Sequence, residues 1–217
     1  MGGLLKKDFL LLKTQKNFLA IILVVTVAIG YNSDGSFAVG YLTFLSSFLL
    51  LNTFGYDDNG SCISFLLTLP VSRSGYVREK YVFGMILITC GFAIGELVDV
   101  GMQLVRGIVF QPAEKVSDLL WLCGFWTFIA ALIPVLFKYG VERGRICIFL
   151  VVLAVVGAAY FGEKLLENIG VDAQALFGEL FLMRSPLFLL ACAMAATLAV
   201  LAVSYGISVH IMNQKEF

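Results

Sequence analysis

The amino-acid sequence predicts an all-α integral membrane protein that forms a single transmembrane domain over residues 1–217. Hydrophobic residues make up 60% of the chain and charged residues only 14%, whereas soluble domains have roughly 45–50% and about 25%. The apolar residues are also collected into long runs, and the charged residues fall mainly between those runs. A soluble core does not account for either feature.

Six apolar runs predict six transmembrane helices. They cover residues 18–31, 37–54, 81–105, 119–137, 146–161 and 187–209. A helix needs about 20 apolar residues to cross the hydrocarbon of a bilayer, so the first and fifth runs are short. Lys13 and Lys16 precede the first run and Arg143 and Arg145 precede the fifth. Because such side chains can extend to the membrane surface, both runs are still predicted to span.

The distribution of basic residues predicts the orientation. Most of the 15 Lys and Arg lie on one side of the six predicted spans, and cytoplasmic loops are the ones that carry such an excess. These residues are Lys6, Lys7, Lys13, Lys16, Arg73, Arg78, Lys80, Lys138, Arg143, Arg145 and Lys215. We therefore expect a multi-pass protein of the cell membrane, in contact with membrane lipid, with both termini in the cytoplasm.

Residues 1–17 precede the first run and have an amphipathic pattern. Leu5, Phe9 and Leu12 recur at i, i+4 and i+7, while lysines occupy the other faces. This pattern predicts a helix lying in the cytoplasmic interface of the membrane. The alternative is a frayed beginning of the first span.

The longest predicted cytoplasmic segment, residues 55–80, has the features of a short helix between two spans. Acidic residues stand at its start, apolar residues share one helical face, a proline closes it and an arginine follows. These residues are Asp57, Asp58, Ile63, Leu66, Leu67, Pro70 and Arg73. A helix over residues 57–70 would present its apolar face either to a groove of a cytoplasmic partner or to the membrane surface.

The third run carries polar residues on one helical face. Glu96, Asp99, Gln103 and Arg106 follow one another at i, i+3, i+7 and i+10, near the outer boundary of the bilayer. One interpretation is a helix that emerges into water, or a carboxylate paired with Arg106. The other is a polar wall of an outward-facing cavity or a seam between two copies of such a membrane protein.

Residues 162–185 have an amphipathic pattern outside the apolar runs. They predict an external helical segment before the sixth span, either covering a cavity or lying on the membrane surface.

Several function classes are disfavoured by the sequence. No G-x-x-x-x-G-K-[ST] phosphate loop occurs, the formal net charge is zero, and the 5 cysteines and 1 histidine form no metal-ligand spacing. The histidine, His210, has no acidic or cysteine neighbour. We expect no catalytic residue, no bound metal or cofactor and no nucleic-acid partner.

In three places the chain resembles the type 2 ABC transporter permeases, particularly the small six-span kind of Gram-positive bacteria that export phenol-soluble modulins or antimicrobial peptides. The matching residues are Leu4, Leu5, Lys6, Lys7 and Asp8; then Tyr56, Asp57 and Asp58; then the run from Leu69 to Arg73 with Val77, Lys80 and Tyr81. The resemblance implies a type V exporter-like bundle with an N-terminal elbow helix and a coupling helix that docks on an ATP-binding subunit. It also implies a dimer of ATP-binding subunits that uses ATP and Mg, and a second permease copy or paralogue.

The leading hypothesis is therefore the membrane-spanning permease of an ATP-driven exporter of amphipathic peptides or lipid-like compounds. The alternative is a non-transporting membrane sensor or immunity protein that binds a partner through the same cytoplasmic segment.

Overall fold

The computed structural model describes residues 2–32, 35–58, 72–107, 112–168 and 186–215. Every element in these ranges is an α-helix. The helices are α1 (Gly2–Thr14), α2 (Lys16–Asn32), α3 (Gly35–Asp58), α4 (Arg73–Arg106), α5 (Pro112–Asn168) and α6 (Pro186–Gln214). The all-α prediction is confirmed for this part of the chain.

The helices form an up-and-down bundle whose two ends are defined by α4. At one end, which we call the α1 end, α1 meets the end of α3 and the beginning of α4, and the beginning of α4 also meets the end of α6. At the opposite end, Arg106 at the end of α4 donates to the carbonyl of Gly30 at the end of α2, over 3.0 Å. α3 packs mainly on α4, and α6 packs mainly on α5.

Glycines allow the backbones of α3 and α4 to approach closely. A Cβ atom on Gly91 would lie 2.0 Å from Ser46 Oγ, and one on Gly95 would lie 3.0 Å from the Cα of Val39. Close approach at small residues is the usual way to pack helices that have lipid around them, because apolar burial gives little advantage there. The close contact between α3 and α4 places the polar residues of α4 against the neighbouring helices.

A proline in α5 creates the link between α4, α5 and α6. Pro134 has no N–H, so the carbonyl of Ala130 lacks its helical donor. The hydroxyl of Ser204 in α6 donates to that carbonyl instead. Tyr81 of α4 completes the network, with its hydroxyl 2.6 Å from Ser204 Oγ and 2.8 Å from Ser208 Oγ. Backbone polarity released by the proline is thus satisfied inside the bundle.

The long helix α5 breaks at Gly140. This residue has φ 75° and ψ 176°, a conformation outside the helical region. A Cβ atom on Gly144 would lie 3.8 Å from the Cα of Leu136, although eight residues of a straight helix rise about 12 Å. The chain therefore bends sharply at Gly140. The Asp58 carboxylate accepts from the backbone N–H of Val141 over 3.0 Å and so caps the helical residues that follow the break.

The described residues support four to five membrane spans rather than the six predicted from apolar runs. Four helices are long and apolar enough: Phe37–Asp58, Arg73–Arg106, Asp118–Gly144 and Phe188–Gln214. These correspond to the second, third, fourth and sixth runs. The first run lies in α2, which has 17 residues and is too short to count alone. It counts only together with α1, from which it is bent by 68°. The fifth run lies in α5 after Gly140 and is not among these spans.

Two predicted boundaries also change. α3 continues through Asp58, so Asp57 and Asp58 end this helix and do not begin a separate one. Residues 59–70 of the predicted coupling helix lie outside the described residues. The predicted external segment, 162–185, begins as a continuation of α5 to Asn168, and its remainder also lies outside them.

The inward face of α1 differs by one position from the predicted apolar face. The buried residues are Leu4, Asp8 and Leu12, while Phe9 is 45% exposed. Hydrophobic periodicity favoured Phe9 because it scores apolar side chains and takes no account of an ion pair. The buried ion pair of Asp8, described below, determines how α1 is rotated.

We expect Gly140→Ala to destabilise the protein by about 1–3 kcal/mol, since a non-glycine residue at positive φ is strained and the added Cβ would lie 2.8 Å from Asp58 Oδ2. Thermal unfolding of the detergent-purified protein measures the effect. Gly124→Ala is the matched control, because Gly124 lies in the same helix with nothing within 4 Å of an added Cβ. Equal melting temperatures for the two variants would contradict the assigned break.

Candidate functional site

The candidate site is built on α4, which carries a cluster of charged residues at each end. This helix has 34 residues and is about 50 Å long at 1.5 Å per residue, whereas the hydrocarbon core is about 30 Å thick. Both ends of α4 therefore have room for charge outside the hydrocarbon. Ser72 caps the helix, its Oγ accepting from the N–H of Gly75 over 3.1 Å, and Gly107 ends it in the left-handed conformation.

At the α1 end lies what we call the Lys80 cluster, which consists of Lys7, Asp8, Asp57, Tyr76, Glu79 and Lys80. The ammonium of Lys80 lies 2.6 Å from Asp8 Oδ2 and 2.7 Å from Asp57 Oδ2, and its side chain has no exposed surface. A buried ammonium loses its hydration and requires carboxylate partners in return. Lys80 thereby joins three helices: α1 through Asp8, α3 through Asp57, and α4, to which it belongs.

The remaining groups complete the environment of Asp57. Lys7 of α1 forms an ion pair with Asp57 Oδ1, and the hydroxyl of Tyr76 donates to Asp57 Oδ2 over 2.8 Å. The rings of Phe54 and Tyr76 lie 5.2 Å and 5.6 Å from the Lys80 ammonium, near enough for cation–π attraction. The cluster is therefore a multiply bonded joint between α1, α3 and α4.

The residues on either side of segment 59–71 reach the other helices as well. Asp58, before the segment, binds the backbone of α5 after its break. Arg73, after the segment, donates to the carbonyls of Met212, Asn213 and Lys215 over 3.2, 3.0 and 2.9 Å. A cation at these carbonyls also interacts favourably with the C-terminal dipole of α6. Asp58 thus bonds to α5, and Arg73 bonds to the end of α6. These bonds add to those of the Lys80 cluster among α1, α3 and α4.

At the opposite end of α4 lies the Lys115 cluster, which consists of Glu96, Asp99, Gln103, Lys115 and Asp118. The Lys115 ammonium is 2.8 Å from Glu96 Oε2, 2.5 Å from Asp99 Oδ2 and 3.4 Å from Asp118 Oδ2. The three carboxylates lie within 4.8 Å of one another, near enough to share a cation. The ammonium of Lys115 takes that position.

The charges around Lys115 change its acidity. Burial lowers the pKa of Lys115, but hydrogen bonds to Asp99 and Glu96 and their negative charges outweigh burial and raise the pKa well above its usual value. Lys115 therefore stays positively charged throughout the physiological range. Its charge binds the beginning of α5 to the second half of α4.

Three of the four residues of the predicted polar stripe lie together, and the fourth does not. Glu96, Asp99 and Gln103 converge on one site, where Gln103 Nε2 donates to Asp99 Oδ2 over 3.1 Å. Asp99 is 2% exposed and so faces α5 and not water. Arg106 points instead to the end of α2, where it donates to the carbonyls of Gly30 and Tyr31. The pairing partner of Asp99 is Lys115, and the prediction of a pair with Arg106 was wrong.

Sequence reasoning found some of these residues and missed others. Asp57, Asp58 and Arg73 were predicted as coupling residues, and the structure gives each a bond to another helix. Ile63, Leu66, Leu67 and Pro70 lie outside the described residues. The partners that were missed are Lys7, Asp8, Glu79, Lys80, Lys115 and Asp118. One available signal was Asp8 itself, an acidic residue within a helix that is otherwise apolar and basic.

Comparison with known families decides the identity of the chain. The family model described as "ABC-2 family transporter protein" matches residues 3–213, which include every helix described above almost completely. The chain belongs to the ABC-2 transporter family. No curated protein sequence and no solved structure gave a significant match.

Membership confirms the resemblance at the level of the family. ABC-2 membrane proteins are transport components, generally not catalytic, and they typically work with an ATP-binding subunit. This ABC-2 protein is accordingly a multi-pass membrane protein of permease type. Within the described residues, its Lys80 cluster and its Lys115 cluster are the places where ion pairs connect the helices of the permease.

Replacing the central lysine should cost more than replacing an exposed one. We expect Lys80→Met to lower stability by about 3–5 kcal/mol, because it leaves two buried carboxylates with only the partly exposed Lys7 as a cationic partner. Lys138→Met, at an exposed position, should change stability by less than about 0.5 kcal/mol. Thermal unfolding of the purified variants measures both effects. If Asp8→Asn does not partly restore the Lys80→Met protein, the loss arises from something other than the unpaired charge.

Proposed function

We propose that this ABC-2 protein is the membrane-spanning permease subunit of an ATP-driven exporter of amphipathic peptides or lipid-like, antimicrobial compounds. In this proposal a dimer of ATP-binding subunits binds the segment 57–70 and uses ATP and Mg, and a second permease copy or a paralogue completes the translocation path. Both termini face the cytoplasm. The observation that carries the proposal is the bonding of both ends of segment 59–71 to the rest of the bundle.

The bonds of the flanking residues support coupling because they are contacts through which a movement of these residues reaches other helices. Asp57 binds α1 and α4, Asp58 binds α5, and Arg73 binds the end of α6. A displacement of these three flanking residues would therefore strain or break bonds to four other helices. Coupling requires contacts of this kind, since binding energy at one site must favour one arrangement of the helices over another.

The sequence also supports a separate source of energy. No Walker-type phosphate loop occurs in the 217 residues, while proteins of this family typically work with an ATP-binding subunit. ATP binding and hydrolysis are therefore assigned to the partner.

An apolar groove supports an amphipathic or lipid-like substrate. A cavity of about 370 Å³ opens between α5 and α6 beside Pro134, Ala199 and Val203. The hydroxyl of Ser204 on its wall is already engaged by the Ala130 carbonyl. The groove therefore offers apolar surface and suits an acyl chain or the apolar face of a peptide helix.

We expect Leu66→Asp to abolish copurification with the ATP-binding subunit, because a charge in the docking face would be buried without a partner. The tagged protein is purified from its native membrane, and bound subunits are identified by mass spectrometry. Gln214→Asp introduces the same charge at an exposed position near the end of α6 and should retain the subunit. Unchanged recovery with Leu66→Asp would refute docking through this segment.

Arg73→Ala should keep the ATP-binding subunit but reduce ATP-driven transport in proteoliposomes. It removes the bonds to three carbonyls at the end of α6 and just after it, and a coupling free energy of about 1–3 kcal/mol corresponds to a loss of about 5–150-fold. Arg73→Lys keeps the charge on a shorter side chain, so we expect an intermediate rate. Full transport by Arg73→Ala would show that α6 is not driven through this contact.

A further inference from the structure

Glu79 is a buried carboxyl group that the structure leaves without a hydrogen-bond donor. Its side chain is on α4 next to Lys80 and is 1% exposed. Neither of its oxygens has a hydrogen-bond partner, and the same is true of Asp8 Oδ1. Asp8 acts on Glu79 through its negative charge and as a hydrogen-bonding group. Buried acceptors of both carboxyl groups thus have no donor, in a region where unsatisfied polar atoms are costly.

The balance of charges in the Lys80 cluster also leaves Glu79 without a partner. Lys7 and Lys80 supply two positive charges, and Asp8 and Asp57 supply two negative charges in direct ion pairs. An ionised Glu79 would add a third negative charge with no cation in contact. A carboxylate accepts hydrogen bonds only, whereas a protonated carboxyl also donates one.

We propose that the Lys80 cluster is a proton-binding site in which one proton resides on Glu79 and is donated to Asp8 Oδ1. This proton leaves the cluster neutral and converts two facing acceptors into a donor and an acceptor. When the proton leaves to water, Glu79 and Asp8 repel each other, and α1 loosens from α4. Proton occupancy therefore controls how firmly the N-terminal helix is held.

The groups that act on Glu79 come from every side of the cluster. α1 contributes Lys7 and Asp8, and α4 contributes Lys80; the charges of these groups act on Glu79, although neither lysine forms an ion pair with it. Asp57 of α3 is one step away, bonded to Lys80 and to Tyr76. From the end of α6, Lys215 lies with Tyr76 and Asp58 on the wall of a small cavity. Asp8 is the acidic group that acts on Glu79, and in the proposal these two groups share the proton.

Infrared difference spectroscopy of the purified full-length protein tests the proposal directly. The spectrum of the wild type minus that of Glu79→Gln, at neutral pH, should contain the carbonyl stretch of a protonated carboxylic acid. Glu142→Gln is the matched control, because Glu142 is exposed, and its difference spectrum should contain carboxylate bands only. Carboxylate bands in place of the acid band for Glu79→Gln would overturn the proposal.

A second variant keeps the test decisive if Glu79→Gln does not fold. Asp8→Asn supplies an amide donor to Glu79 and removes one negative charge, so Glu79 no longer needs a proton. The acid band should then disappear from this variant as well. Persistence of the full acid band in Asp8→Asn would show that the proton is not shared with Asp8.

A separate experiment measures the loosening of α1. Spin labels at Lys6→Cys and Arg78→Cys, both exposed positions, report the distance between α1 and α4 in a background with the 5 native cysteines replaced by serine. The distance distribution should broaden reversibly as pH rises in the wild type and should not change when Glu79→Gln is added. A distribution independent of pH in both proteins would refute proton control of α1.

Discussion

The buried ammonium of Lys80 is the constraint on which the arrangement of the α1 end depends. A charge with no exposed surface is tolerated only where carboxylates replace its lost hydration, and here one carboxylate comes from α1 and the other from α3. This requirement fixes the rotation of α1, since Asp8 must face inward. It also fixes where α3 ends relative to α4, because Asp57 must meet a lysine on the second turn of α4.

Between the two charged clusters, the bundle satisfies its polar groups locally. The hydroxyls of Thr26, Thr43 and Ser46 each donate to a carbonyl four residues earlier in their own helix. Bonds of this kind leave no polar atom for the hydrocarbon to accommodate. Among the described residues, interhelical hydrogen bonds between oxygen atoms in this region occur at Pro134, where a carbonyl has lost its own donor, and Cys123 also contacts Met194 through sulfur. Charge and interhelical polarity are consequently concentrated at three levels of the bundle.

Much of the helical architecture could be predicted from the sequence, because long apolar runs allow few alternatives in a membrane. The runs at 37–54, 81–105 and 187–209 all lie within single helices. The break at Gly140 could not be predicted, since the charged residues around it resemble an ordinary connection between two spans. In the structure, a single glycine at positive φ joins the two helical parts of α5. The carboxylate of Asp58, which is distant in sequence, caps the second part.

The candidate site was predicted less completely for a related physical reason. Local patterns identify residues that share a helix face, and they found the stripe from Glu96 to Gln103. They do not identify partners on another helix, so Lys115 and Asp8 were missed. The residues that carried the family resemblance include Asp8, Asp57 and Lys80, and these three meet in the structure. A motif dispersed over the sequence was therefore the signal of a spatial cluster.

The attachments of α6 show why the first two turns of α4 occupy a central mechanical position. α6 has little of its surface buried, and its polar bonds to the described helices are concentrated at a few residues. Arg73 holds its C-terminal carbonyls, and Tyr81, two turns further along α4, holds Ser204 and Ser208. Lys80, which binds α1 and α3, lies between these two attachments. A rotation of this part of α4 must therefore act on α1, α3 and α6 together, whereas a shift of α6 alone has to break both of its attachments to α4.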